Sequence, residues 1–309
     1  MVSVLGGLLV LKPTSYSITH CGYLNNHYCD RAKLVINIIA MNDANTAHED
    51  EYSDTLIKFL QIIWGDGFLS PGGPDAARAI VSGLDLTGKQ VLDIGCGIGG
   101  FDTLLADEFG AKVIGIDIEP GLISRAKERV RAKGMEQQVE CRLVRPGTLD
   151  FADNTFDVVF GKDSWIHIAD KHAFFAEVFR VLKPGGVLAA GDWMRGSQPF
   201  SPDMEYFFEI EGLTYHMDTL EHYGQILQST GFIDVALTDI TDINRELAHR
   251  EYASMIGPLK PTMIAALGKE KQEYFVEDWR ALTVVLDNGE LRPGRFRAKK
   301  PLGETKGIN

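Results

Sequence analysis

A glycine-rich segment, VLDIGCGIGG at residues 91–100, constrains the fold of this chain more than any other feature. It follows a short apolar run, QVLDI, of the kind that forms a strand buried on both faces of a sheet, and a helical pattern comes after it. Glycines between a strand and a helix let the backbone approach a ligand at the helix N-terminus. The segment therefore predicts a strand, a ligand-binding loop and a helix at the carboxyl edge of a sheet.

The chain from Tyr52 onward repeats this alternation of apolar runs and helical patterns. Helix-like stretches cover 53–64 and 74–84, and later apolar runs are KVIGI, QVECRLV, FDVVFGK and GVLAAGDW. The order predicts an α/β fold with a mostly parallel, doubly wound sheet. We expect FIDVALTDI and RFRAKK to close the sheet as an antiparallel pair, with a helical lid inserted around 195–230 and 241–293.

The first forty residues differ in pattern from the rest of the chain. Their apolar run VSVLGGLLVL is too short to span a bilayer, and no basic region precedes it as in a secretory signal. We therefore expect residues 1–40 to be a non-structural extension and residues 41–309 to form the functional domain. With 309 residues, of which 45% are apolar, the chain is long enough to bury a full core.

The charge and the cysteines limit the partners of the protein. A net charge of -12 and a pI near 5.1 disfavour nucleic acid and anionic membrane surfaces as partners. The four cysteines lack the C-x-x-C spacing of a zinc site and do not suggest a disulfide framework. These features predict a cytoplasmic protein without a metal ion, and they leave the oligomeric state open.

The glycine loop fits two kinds of ligand. Gly95, Gly97 and Gly100 match the dinucleotide pattern G-x-G-x-x-G, whereas Asp93, Gly95, Gly97 and Gly99 match D-x-G-x-G-x-G, typical of sites for the sulfonium cofactor S-adenosyl-L-methionine. Asp117 at the end of the next strand suits the ribose of either ligand. A carboxylate at Asp93 favours a cationic ligand over a pyrophosphate, so we expect S-adenosyl-L-methionine.

Longer motifs resemble one methyltransferase family. The segments EYSDTLIKFLQIIWGDGFLSPGG, GIDIEPGLISRAKER and KDSWIHIADKHAFFAEVFRVLKPGG are similar to the phosphoethanolamine N-methyltransferases, and the similarity runs from about Tyr52 to Lys300. The resemblance implies a Rossmann-like class I methyltransferase fold. It also implies cofactor contacts from the lead segment, the loop and the ends of two strands, at Leu69, Ser70, Asp93, Gly95, Gly97, Gly99, Asp117, Ile118, Lys162 and Asp163.

The same resemblance implies a catalytic pair, Tyr52 and His167. Methyl transfer to nitrogen is an in-line displacement, so the acceptor must have lost its proton and be aligned. An imidazole can accept that proton and a tyrosine hydroxyl can orient it. Asp163 is expected to stabilise the arriving amine, and Trp193, just after a strand, is expected to face the substrate.

The chain departs from the family at positions that concern the acceptor. Arg145 replaces an aspartate expected near adenine, which leaves backbone groups or Asp150 for that contact. The position of the family's phosphate-binding arginine falls near residues 209–211, which are Glu, Ile and Glu in this chain. Where the family has a lysine, this chain has Leu282. A buried phosphate dianion without these cations is costly, whereas Glu211 attracts a cation.

We therefore predict an S-adenosylmethionine-dependent methyltransferase of a small molecule, most simply an N-methyltransferase of a small amine. The alternatives are phosphoethanolamine methylation, with Arg280 or Arg295 replacing the missing bases, and methylation of a glycine-type amine or of sulfur or oxygen, with Arg195 binding a carboxylate. A non-catalytic cofactor-binding protein is a third class of function.

Overall fold

A seven-stranded sheet organises the protein in the computed structural model, which describes residues 52–213 and 215–303. The strands are β1 (Gln90–Ile94), β2 (Lys112–Asp117), β3 (Val139–Leu143), β4 (Phe156–Lys162), β5 (Leu182–Asp192), β6 (Ile233–Asp239) and β7 (Gly294–Lys299). Their order is β3-β2-β1-β4-β5-β7-β6. The first five pair in parallel, and β7 is antiparallel to both β5 and β6. The predicted fold class is confirmed.

Helices surround the sheet and form a second group beside it. They are α1 (Asp54–Trp64), α2 (Gly73–Ile80), α3 (Gly100–Phe109), α4 (Pro120–Ala132), α5 (Lys171–Val181), α6 (Pro202–Glu211), α7 (Leu220–Thr230), α8 (Thr241–Ile256), α9 (Lys260–Leu267) and α10 (Lys269–Asp287). Helix α2 ends at Ile80, four residues before the predicted end, since Gly83 adopts a left-handed φ of 77° that a helix cannot contain.

Two apolar cores cover the two faces of the sheet, because the strands carry apolar side chains in both directions. One core joins β1 and β2 to α2, α3 and α4 through residues such as Ile80, Leu105 and Ala126. The other joins β4 and β5 to α5 and α7 through residues such as Phe175 and Tyr223. Helix α7, placed by sequence in the first insertion, instead packs on the sheet, since its buried face, Tyr223 included, belongs to this second core.

A third core joins α1 to the inserted helices α6, α8, α9 and α10. Its centre is Phe59 of α1, which stacks on Phe275 of α10 with ring centroids 3.8 Å apart and meets Trp279 edge-on at 5.1 Å. The segment KPGG lies inside β5, where the β4–β5 register shifts between Phe156 and Val158. The bulge accommodates the extra residues.

Two further points concern the first forty residues and the possibility of a membrane-spanning helix. The extension predicted at residues 1–40 lies outside the described residues. Within residues 52–213 and 215–303, none of the helices has both the length and the apolar character needed to cross a bilayer.

Candidate functional site

The glycine loop after β1 is anchored to the end of β2. The backbone N–H groups of Gly95 and Cys96 donate to the carbonyl of Ile116 at 2.8 and 3.0 Å. The N–H of Gly97 donates to Oδ2 of Asp117 at 2.9 Å, and Oδ1 of Asp117 accepts from the N–H of Glu119 at 3.0 Å. Burial raises the pKa of Asp117 and these backbone donors oppose the rise. The loop and Asp117 thus form one unit at the carboxyl edge of the sheet.

Close packing explains why the loop needs glycine. Gly95 has a φ of 86°, and a Cβ there would lie 2.3 Å from the Cβ and Oγ of Ser164. The Oγ of Ser164 itself donates to the carbonyl of Ile94 at 2.8 Å, so the segment after β4 is fixed against the end of β1. On the other side, a Cβ at Gly97 would meet Cδ1 of Leu69 at 3.4 Å. The structure thus brings the lead segment, the loop and the end of β4 together.

The side chain of Asp93 is buried beneath the glycine loop. It is 1% exposed, and neither carboxyl oxygen has a hydrogen-bond donor within the described residues. Gly115, its partner on β2, leaves room for the carboxyl of Asp102, because a Cβ at Gly115 would lie 2.2 Å from Oδ2 of Asp102. Burial and the neighbouring Asp102 raise the pKa of Asp93 well above its usual range. Burial thus favours the neutral form of this carboxyl, and its contact with a cationic ligand stays a prediction.

Lys162 and Asp163 form a buried ion pair where β4 ends. The N–H of Asp163 donates to the carbonyl of Gly191 at 2.9 Å, and the residue adopts a φ of 56°. Burial raises the pKa of Asp163, while Lys162 and Arg295 of β7 act in the opposite direction. Asp163 therefore has cations of its own chain beside it, and its contact with an arriving amine stays a prediction.

A cavity of about 120 Å³ lies between this edge of the sheet and the third core. It collects six of the predicted site residues, namely Tyr52, Leu69, Asp163, His167, Trp193 and Glu211. The other expected cofactor residues lie outside its wall. Asp117 and the half-exposed Ile118 lie at the neighbouring end of β2, and Ser70 is buried beside Pro71, which lines the cavity.

The expected catalytic pair comes from two separate segments of the chain. Tyr52 directly precedes Ser53, whose side chain accepts from the N–H of Leu56 and caps α1. His167 ends the short 3₁₀ turn Trp165–His167 after β4. Its ring centroid lies 5.5 Å from that of Tyr215, a cavity residue that was not predicted from the sequence. Both members of the pair thus line the same space beside the glycine loop.

Two carboxyl groups enter the cavity from the inserted helices. Glu211, at the end of α6, accepts a 3.1 Å hydrogen bond from the hydroxyl of Tyr215. Asp278 of α10 was not predicted as a site residue, and it is 6% exposed. Burial raises the pKa of Glu211 to about 7 and that of Asp278 well above its usual range. Asp278 lies in the segment FVEDWRA, within the stretch that is similar to the family, but the amphipathic pattern there does not single out its carboxyl.

Aromatic rings form much of the remaining wall. Trp193 follows β5, as expected from sequence, and lines the cavity. Trp64 and Trp279 also line it, with their ring centroids 5.6 Å apart. Both of the latter indoles donate to the carboxyl of Glu251, at 2.7 and 2.9 Å. Trp165, by contrast, is buried in the second core. Glu251 therefore fixes the orientation of both indole rings in the cavity wall.

The described lining of the cavity contains no lysine and no arginine. Arg280, one candidate for binding phosphate, is held by both oxygens of Glu277 at 2.7 Å. Arg195, the candidate for binding a carboxylate, donates to the carbonyl of Gln198 and lies 4.0 Å from the ring centroid of Phe200. Leu282, where the family resemblance implies a lysine, is buried in the wall. Across residues 52–213 and 215–303, no group of three or more potential ligands is arranged to hold a metal ion.

Comparison with known proteins links this geometry to methyltransferases. Residues 92–190 match the family model of the methyltransferase domain. The chain is 34% identical over 251 residues to phosphoethanolamine N-methyltransferase 3 of Arabidopsis thaliana, covering 81% of this chain and 50% of that protein. It is 30% identical over 222 residues to methyltransferase GfsG of Streptomyces halstedii, covering 66% of this chain and 80% of that protein.

A solved structure agrees with these sequence relatives. Phosphoethanolamine N-methyltransferase 2 of Haemonchus contortus, in complex with phosphomonomethylethanolamine and S-adenosylhomocysteine, superposes with a TM-score of 0.76 at 30% identity. The match covers 81% of this chain and 59% of that one. The chain spans about half the length of the plant phosphoethanolamine N-methyltransferases that it matches.

Proposed function

The chain belongs to the class I methyltransferases, and from this premise we propose that it transfers a methyl group from S-adenosyl-L-methionine to the nitrogen of a small amine. The observation that carries the proposal is the cavity beside the glycine loop, which holds Tyr52 and His167 and has no lysine or arginine in its described wall. A cavity of about 120 Å³ suits a small acceptor rather than a polymer.

The residues at the sheet edge fit the proposed cofactor. The close approach of Gly95 to Ser164 excludes a side chain at this position, where a nucleoside ligand would lie on the loop backbone. Each carboxylate oxygen of Asp117 accepts one backbone hydrogen bond and retains acceptor capacity for ribose hydroxyls. Leu69, Ser70, Ile118, Lys162 and Asp163 complete the proposed contacts to adenosine and methionine.

S-adenosyl-L-methionine, when bound, supplies an electrophilic methyl carbon on a sulfonium. The chain must supply an acceptor nitrogen with a free lone pair, held in line with that carbon. His167 is positioned on the cavity wall to accept the proton that the nitrogen loses, and Tyr52 to restrict how the amine enters. The two free buried cysteines, Cys96 and Cys141, support placing this reaction in the reducing cytoplasm.

A phosphorylated acceptor is the second candidate, because several relatives of the chain are phosphoethanolamine N-methyltransferases. Against it stands the carboxyl of Glu211 in the cavity wall, since a buried dianion needs cationic partners. The test is transfer of a labelled methyl group from the cofactor to a panel containing a simple amine, phosphoethanolamine, dimethylglycine and a thiol acid. We expect methylated simple amine. Preferred methylation of phosphoethanolamine would support the second candidate, and cofactor binding without any transfer would support a non-catalytic binding protein.

A further inference from the structure

Asp278 has a feature that the proposed reaction does not use. Its side chain is buried in α10, it lines the cavity, and its Oδ1 has no hydrogen-bond partner among the described residues. A buried carboxyl oxygen without a donor keeps an unused acceptor, and on a cavity wall a ligand can supply the donor. The orphan oxygen therefore indicates a group of the ligand that carries N–H or O–H donors or a positive charge.

Glu211 makes the same region more acidic. Its carboxyl and that of Asp278 are hydrogen-bond neighbours, and two such oxygens can share a hydrogen bond only through a proton. Tyr215 donates to Oε2 of Glu211, which adds a neutral donor and no positive charge. The described lining of the cavity contains no lysine or arginine that would balance the charge of these two carboxyl groups.

The surrounding wall suits a cation rather than an anion. Trp64 and Trp279 present their rings to the same cavity in orientations fixed by Glu251, and indole faces attract ammonium groups. Leu282, one helical turn after Asp278, adds apolar surface where a lysine would have bound phosphate. Carboxyl groups, indoles and an apolar residue together provide the chemistry that an ammonium group prefers.

Resting on the proposed function, we propose that the methyl acceptor is a small amine carrying a second ammonium group, and that Glu211 and Asp278 bind this second group while the reacting nitrogen lies at Tyr52 and His167. The pair would neutralise the ligand's charge, and the orphan Oδ1 of Asp278 would accept one of its N–H groups. An acceptor with a phosphate or carboxylate at that end would face repulsion instead.

The test measures binding separately from turnover. The full chain saturated with S-adenosylhomocysteine is titrated with 1,3-diaminopropane, propylamine and phosphoethanolamine by isothermal calorimetry at constant salt and pH. We expect the diamine to bind at least tenfold more tightly than propylamine, and phosphoethanolamine to bind most weakly. Asp278→Asn and Glu211→Gln should each remove most of the diamine's advantage while changing propylamine binding little. Asp287→Asn, an exposed carboxyl of the same helix, is the matched control.

Equal binding of diamine and propylamine, tighter binding of phosphoethanolamine, or no binding of any of the three would overturn the subsite. The ligand comparison uses the unmodified chain, so it stands even if a variant fails to fold. Failure of the proposed function looks different: the diamine would bind selectively, yet no labelled methyl group would reach any amine. Methyl transfer with phosphoethanolamine as the preferred acceptor would instead overturn the subsite and leave methyl transfer intact.

Discussion

The backbone N–H of Gly97 donates to Oδ2 of Asp117 across a distance of 2.9 Å, so the glycine loop and the end of β2 are directly joined. Asp117→Ala removes this acceptor and the proposed ribose contact together. We expect the affinity for S-adenosylhomocysteine to fall by about 10- to 100-fold, since a hydrogen bond to a charged group contributes roughly 1.5–3 kcal/mol. Calorimetric titration checks this, with Asp107→Ala on the exposed face of α3 as the control. Unchanged affinity would contradict the anchoring role.

Gly95→Ala tests the packing between the loop and Ser164. The substitution places a Cβ 2.3 Å from that side chain and forces alanine to a φ of 86°. Strain of this kind costs on the order of 1–3 kcal/mol before any clash is counted. We expect a lower melting temperature and weaker cofactor binding. Gly134→Ala is the matched control, because Gly134 has a φ of 66° with nothing within 4 Å of the added carbon. Equal losses in both variants would show that backbone strain alone, without the Ser164 contact, explains the effect.

The sequence predicted the fold well because the signals for it are local. Buried strands of a parallel sheet read as continuous apolar runs, and the glycine loop after QVLDI identifies the ligand-binding edge. The antiparallel pairing of β6 with β7 was also predicted. Helix α7 was misplaced because an amphipathic pattern tells which face is buried and not what covers it.

The site was predicted only in part, because its chemistry depends on contacts between distant segments. Tyr52, His167 and Glu211 line one cavity, while the roles expected for them stay predictions. The motif around Asp93 gives no information on its burial or on the neighbouring Asp102, which together raise its pKa. Asp278 was missed because nothing in its local sequence indicates that its carboxyl faces a cavity.

His167→Ala should slow methyl transfer without weakening cofactor binding. If the imidazole accepts the proton of the amine, its loss lowers kcat by about 10²- to 10⁴-fold. The loss should shrink as the pH rises, because more of the free amine then arrives already deprotonated. Turnover measured from pH 6.5 to 9.5, alongside affinity for S-adenosylhomocysteine, tests this. His172→Ala, an exposed histidine of α5, is the control. A loss that is constant across the pH range would remove His167 from proton transfer.

Glu251, which binds two indoles of the cavity wall, should make the stability of the protein depend on pH. Burial raises its pKa to about 7, against an ordinary value of 4.5, so the folded protein retains a proton that the unfolded chain releases. The contribution of Glu251 to stability is therefore full below about pH 4.5, declines as the pH rises toward 7, and is constant above that. Glu251→Gln removes this titration and keeps an oxygen that can accept from the indole of Trp64 or Trp279. We expect the melting temperature of the variant relative to the unmodified chain to increase between pH 5 and 7.5. Glu246→Gln, at an exposed position of the same helix, should show no such trend. A difference that does not change with pH would mean that Glu251 is ionised in the folded protein throughout this range.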